Sequence, residues 1–268
     1  MRAGALCLEG KETLAPDGWR DKQGHDTLKA LSSYAEAEEQ TMRNKLEATN
    51  GGALCSGGPA RVRAGTVNVE GEDLTTAAVL FADIVGFTSW AERVPPRTTM
   101  DFLRRYHEHM AQQVSFHGGW IVQRAGDAIL AAFGTDGFFP CKATSALACG
   151  FSMLEELARW NARRGMRGRL PVQIGIGIHF GAVAIGSIGV VPRVERTIAG
   201  DTVNVACRLE EMTRTIGTRL IVSGALVEEV AREGEETIVL RRLTDRGACA
   251  LRGRLSQIPI FVLDDMSP

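Results

Sequence analysis

No apolar run in this sequence approaches the roughly 20 residues that a helix needs to cross a bilayer. The first twenty residues are mixed and contain glycine, without the apolar centre of a secretory leader. The six cysteines (Cys7, Cys55, Cys141, Cys149, Cys207 and Cys249) form no C-x-x-C pair. They read as reduced, structural thiols, and a cytoplasmic location is expected. Neither charge sign is in excess: 31 Lys and Arg against 32 Asp and Glu leave a formal net charge of −1. That balance speaks against a nucleic acid as main partner and still allows a local basic pocket for one triphosphate. Only five histidines are present. His107 and His109 are two apart on an expected helix, so they diverge and a zinc site is not expected. His179 sits in an apolar strand and reads as a core histidine. No internal repeat is visible.

What is there is 268 residues, 44% hydrophobic and 24% charged, an ordinary globular composition with enough chain for one sizeable core and an appendage. Residues 1–73 differ from the rest. Small residues and glycines cluster at 1–10 and 51–65, and between them 26–48 is rich in Ala, Glu, Lys and Leu. Leu28, Leu31, Ala35 and Met42 fall on a heptad-like stripe that Glu38 and Lys45 interrupt. One amphipathic helix, dimerising or signalling, is expected there, followed by a flexible linker.

From 74 to 265 periodic segments alternate. T-A-A-V-L-F-A-D at 76–83 reads as a buried strand. A helix should begin at Pro95–Pro96, carry Phe102, Leu103, Tyr106, Met110 and Val114 on one face, and stop at Gly118–Gly119. Residues 120–124 and 128–133 read as a hairpin whose turn holds Gly126 and Asp127. A long helix over 139–163 and a strand over 171–181 follow, with 182–186 continuing the strand or pairing with it. Residues 189–201 read as an extended excursion, and 202–213 as a helix with Asp201 as N-cap. Strands alternating with helices, with hairpins among them, indicate an α+β or α/β sandwich with helices over a sheet.

Two stretches carry most of the chemistry. F-A-D-I-V-G-F-T at 81–88 and A-G-D-A-I-L-A-A-F at 125–133 each put one aspartate, Asp83 and Asp127, at the end of an apolar run beside glycine. Two carboxylates on rigid strands can clamp divalent cations on a polyphosphate, with the backbone carbonyl of Ile84 as a further hard oxygen ligand. Gly86 lets backbone N–H groups approach phosphate without an intervening Cβ. A third stretch, I-A-G-D-T-V-N-V-A-C-R-L-E at 198–210, places Asn204 and Arg208 four apart on one helix face. A neutral donor beside a fixed cation suits charge developing on a transferring phosphorus. In the tail, Arg252 and Arg254 flank a glycine beside a strand, either as triphosphate ligands or as exposed charges.

These four stretches, in this order, resemble the catalytic domain of the class III adenylyl and guanylyl cyclases over roughly residues 74–263. The resemblance implies a ferredoxin-like β-α-β-β-α-β core in a head-to-tail homodimer, with an active site at each end of the shared interface. It implies that Asp83, Ile84 and Asp127 of one chain hold two Mg²⁺ or Mn²⁺ ions. Asn204 of the other chain would orient the ribose and Arg208 would stabilise the pentavalent phosphorus. Gly86, Phe87 and Thr88 would receive the triphosphate. Arg252 stands where the family usually has a phosphate-binding lysine.

Base recognition departs from the adenylyl pattern. The position four before the second metal aspartate, usually lysine, is Gln123, and its partner is Thr197. Thr197 is similar to the subgroup that uses threonine in place of aspartate to read the adenine amino group, a subgroup that includes bicarbonate-responsive cyclases. A glutamine amide can donate to adenine N1 or accept from guanine, so ATP is the expected substrate with appreciable use of GTP. Arg196 stands where an aromatic residue often precedes the base reader. A guanylate or dual-specificity cyclase and a catalytically weak regulatory module remain alternatives. The chain reads R-A-G-D-A where the cyclic-dinucleotide synthases carry G-G-D/E-E-F. Residues 1–73 match no sensor domain, so an upstream sensor or a regulatory partner is expected to supply the signal.

Overall fold

The computed structural model describes residues 73–135, 141–190, 193–234, 239–254 and 256–263. The helix expected over 26–48 and the linker at 51–65 lie outside these residues.

The first strand, β1 (Asp73–Ile84), is followed by a short helix α1 (Phe87–Ala91) and a long helix α2 (Pro96–Phe116). Pro96 opens α2 because its missing N–H is not needed in a first turn. Gly118, at φ 69°, takes the chain out of it. The hairpin β2 (Trp120–Ala125) and β3 (Ala128–Phe133) then leads to α3 (Lys142–Gly165) and the 17-residue strand β4 (Ile174–Val190). These elements form a ferredoxin-like β-α-β-β-α-β unit with spatial order β2-β3-β1-β4, every neighbour antiparallel.

The remainder extends the sheet. β5 (Arg193–Ala199) folds back on the far half of β4, so the segment expected as an extended excursion is a strand paired with β4 in an arm. After α4 (Asp201–Ile216), β6 (Leu220–Ser223) joins β4 in the sheet's one parallel pairing among the described strands. α5 (Gly224–Arg232) follows, and β7 (Leu243–Cys249) and β8 (Ile258–Leu263) close the order β2-β3-β1-β4-β6-β8-β7. The start of α4 corrects one expectation: Gly200 occupies the N-cap and Asp201 is the first helical residue, its carboxylate engaged by Arg254.

Strand alternation divides β1 between two cores. Ala78, Leu80, Ala82 and Ile84 face α2, α3 and α5 in the main cluster, where Tyr106, Met110, Leu147, Met153 and Ile176 are fully buried. Ala77 and Val79 face the other way, towards Val183, Ile185 and Ala206. By the same alternation Asp83 belongs to the α4 face.

The glycines of G-I-G-I-H-F-G set how close α4 lies. A Cβ on Gly177 would collide with the backbone carbonyl of Ala206 and the amide of Glu210. One on Gly175 would collide with Glu210 and Thr213, and one on Gly181 with the Thr202 hydroxyl. The helix therefore touches strand backbone at Gly177, and its Thr202, Glu210 and Thr213 side chains fill the space left at Gly181 and Gly175. On the same strand, His179 Nδ1 lies 2.7 Å from the Ser223 hydroxyl that caps α5, the satisfied histidine expected.

Two predictions follow from this packing. Gly177→Ala should destabilise the fold by about 1–3 kcal/mol or more, because neither backbone can yield. Gly165→Ala, with nothing within 4 Å of the added carbon, should be neutral or stabilising. Urea denaturation of both checks the contrast. Burial lowers the pKa values of His117 and His179 to about 4. Their contribution to stability is present above the unfolded value near 6.5 and lost as pH falls towards 4. Buried carboxyls titrate in the opposite sense over part of this range. The test is therefore a difference: the gap in Tm between wild type and a His117→Gln, His179→Gln double variant should narrow from pH 7 to pH 4.5. A constant gap contradicts the assignment.

Candidate active site

Asp83 ends β1 at the rim of the α4 face, one residue before the strand's last. Asp127 sits in the β2–β3 turn, made possible by Gly126 at φ 62°. β3 is hydrogen-bonded to β1, with Ala82 opposite Ile129, so the turn arrives beside Asp83. The two carboxyls face each other. Burial first, and then the adjacent Asp83 carboxyl, push Asp127 up to about 7, while the N–H groups of Asp127 and Ile84 pull it down. Two half-buried carboxylates at this range need a proton or a cation between them. The available donors are carboxylate and backbone oxygens, a set that fits Mg²⁺ or Mn²⁺. Among the described residues no three His, Cys, Asp or Glu side chains converge as a metal cluster.

The turn is braced from α2. His107 Nε2 donates to the Gly126 carbonyl at 2.7 Å, and its Nδ1 is buried without a partner. His109 points elsewhere, to Glu156 at 3.0 Å, so the two histidines diverge as expected and one of them holds the aspartate turn. Next to it, the Tyr106 hydroxyl is buried without a hydrogen bond, its pKa raised by burial and then by Asp83, Asp127 and Glu210.

Beyond Ile84 the chain turns at Gly86, φ 73°, directly into α1, which begins at Phe87 and Thr88. This five-residue helix was not expected. Phe87 and Trp90 pack on Phe102 and fix its start.

Asn204 and Arg208 lie together on α4, away from the glycine floor. Arg208 reaches the turn at Gly253, which at φ 72° tolerates little but glycine. Arg252 is exposed on the same turn, while Arg254 is tied to Asp201. Neither Asn204 nor Arg208 bonds to Asp83 or Asp127 within the chain. The neighbour that Asp83 does have is Arg214, whose Nη2 donates to Oδ2 at 2.8 Å.

The base-reading candidates sit on separate strands. A register shift between Ile121 and Gln123 sets Gln123 opposite Leu130. Leu130 packs in the α4-face cluster, so the bulge aims Gln123 at the same face as Asp83. Thr197 lies in the arm, opposite Gly186 and half-buried. Arg196 beside it stacks on Trp120, 4.8 Å from the ring centre, which ties the arm to β2. Gln123 and Thr197 do not bond to one another.

Among the described residues no helix is long and apolar enough to cross a membrane. Residues 69–264 match the family model of the adenylate and guanylate cyclase catalytic domain. An adenylate cyclase of Anabaena cylindrica is 35% identical over 157 residues, 57% of this chain and 30% of that protein. The chain thus spans less than a third of that curated relative. Among solved structures, the guanylyl cyclase Cya2 superposes with a TM-score of 0.63 at 29% identity, over 72% of this chain and 93% of that one. The adenylyl cyclase CyaB from P. aeruginosa shares the fold at a TM-score of 0.64 and 24% identity, over 74% and 97% of the two chains. With most of its length covered by that family model, the chain belongs to the adenylate and guanylate cyclase catalytic-domain family.

Proposed function

We propose that the domain at 74–265 converts ATP to 3′,5′-cyclic AMP and pyrophosphate, as a homodimer with composite active sites. The observation that carries this reading is the facing pair Asp83 and Asp127, whose mutual repulsion calls for a divalent counter-charge. Divalent ions held by Asp83, Asp127 and the Ile84 carbonyl would favour ionisation of the ribose 3′-hydroxyl and neutralise triphosphate charge.

The chain's own residues do the rest. The backbone N–H groups of Gly86, Phe87 and Thr88 receive triphosphate oxygens at the turn into α1, and Arg252 adds a cation. The 3′-oxygen attacks the α-phosphorus in line as the bond to pyrophosphate breaks. Arg208 bears on the charge that grows there, and Asn204 holds the ribose so that the attack is aligned. Neither side chain meets Asp83 within one chain, which favours a site completed by a second copy. The Gln123 amide donates to adenine N1 and the Thr197 hydroxyl accepts from the adenine amino group. Rotation of that amide presents an acceptor to guanine instead, which favours measurable turnover of GTP.

Asp83→Ala and Asp127→Ala should each lower kcat by about a thousandfold or more with the fold intact, a loss of the size seen when a key electrostatic group is removed. Neither inactive protein alone nor Arg208→Ala alone should turn over, whereas a mixture of Asp127→Ala and Arg208→Ala should regain part of the wild-type rate. Heterodimers that form and stay inactive would contradict the shared site. Gln123→Lys should raise the ratio of kcat/KM for ATP over GTP by about tenfold, since an ammonium donates and cannot accept. An unchanged ratio would remove Gln123 from base recognition.

A further inference from the structure

Arg214 lies outside every set of residues discussed for the reaction, yet it makes the one ion pair that Asp83 has among the described residues. Its Nη2 sits 2.8 Å from Asp83 Oδ2 and 3.1 Å from Glu210 Oε1. One guanidinium nitrogen is shared between a carboxylate at the candidate metal site and a carboxylate of the core.

The two acceptors differ. Glu210 is 2% exposed and Asp83 is 26% exposed. Glu210 is clamped between α4 and the bare backbone at Gly175, where any side chain would overlap its Oε1. A carboxylate that deep carries charge only with a counter-charge at hand, and Arg214, one turn along the same helix, is the cation that reaches it. Asp83 is at the rim and can exchange partners. Arg214 itself is 38% exposed and has room to move.

We infer that Arg214 is a built-in competitor for the divalent cation at Asp83, and that loading the metal requires the guanidinium to withdraw wholly onto Glu210. This rests on the reading of Asp83 and Asp127 as metal ligands. The cation must take Oδ2 from a charge-assisted hydrogen bond, so Arg214 weakens metal binding and keeps Asp83 neutralised and in place until the metal arrives. Arg214 is thus a positioning residue, with Glu210 as its second seat. The arrangement shifts half-occupancy to a higher divalent-ion concentration than two free carboxylates would need.

The test is Mn²⁺ binding to the nucleotide-free full chain, followed by electron paramagnetic resonance of the free ion. Arg214→Gln alone strands the Glu210 charge in the core, so the informative variant is the double Arg214→Gln, Glu210→Gln, which removes both charges and keeps the volumes similar. It should bind Mn²⁺ at least about tenfold more tightly than wild type, the scale of one hydrogen bond to a charged group. Arg214→Lys, still cationic, should stay near wild type. A double variant that binds Mn²⁺ no more tightly than wild type overturns the proposal. Asp127→Asn separates the underlying reading: it should abolish the Mn²⁺ site in wild type and double variant alike, and binding that survives it removes the metal assignment itself.

Discussion

The site depends on how closely α4 can lie on β4. Gly175, Gly177 and Gly181 remove three side chains from the face of β4 that α4 covers, and at Gly177 the helix settles until backbone meets backbone. That contact fixes the azimuth of the helix. Thr202, Ala206, Glu210 and Thr213 turn inward, so Asn204 and Arg208 must turn outward. It also fixes the helix along its axis, which is why Arg214 ends beside Asp83. A larger residue at any of the three glycines would move the outward pair and the inward pair together.

The second constraint is charge. Asp83, Asp127 and Glu210 crowd one corner of the sheet, and burial pushes both Asp127 and Glu210 up to about 7. Arg214 offsets part of this and leaves the corner short of positive charge. That deficit fits the proposed cation, and oxygen-only donors would favour a hard one. Around that corner the scaffold is rigid: β1 is central in the sheet, and His107 locks the Asp127 turn from α2. The groups proposed for nucleotide contact are placed differently, on the edge strand β2, the projecting arm, and the turn at Gly253. The proposed metal ligands on a rigid scaffold, with the proposed recognition groups on the periphery, fit a family that contains both adenylate and guanylate cyclases.

Much of this was legible in the amino-acid sequence because the signals were local. Prolines and glycines bracket α2, short unbroken apolar runs mark β1 and β3, and a helical period marks α3. Asp83, Asp127, Asn204 and Arg208 stood out through their motifs. What escaped was settled by distant parts of the chain. The five residues of α1 are too few for a periodicity, and aromatic packing on Phe102 makes the helix. The arm became a hairpin because β4 runs on past the core as far as Val190, giving 193–199 a strand to pair with. Asp201 looked like an N-cap, but Gly200, at a φ of 141° that favours glycine, takes that position and Arg254 claims the carboxylate. Arg214 lies beyond the last residue of the 198–210 motif, and Glu210 only closes it, so neither stood out from the sequence. Only the glycine floor, which brings α4 down beside β1, joins them to Asp83.

The central claim is a cyclisation of ATP carried out at the Asp83 and Asp127 pair. Its most direct test is chromatographic separation of products from purified protein incubated with ATP or GTP under Mg²⁺ and under Mn²⁺. The account predicts cyclic AMP and pyrophosphate in equal amounts, with a higher kcat/KM for ATP than for GTP. Absence of cyclic product with both metals, from protein shown to dimerise, would contradict it.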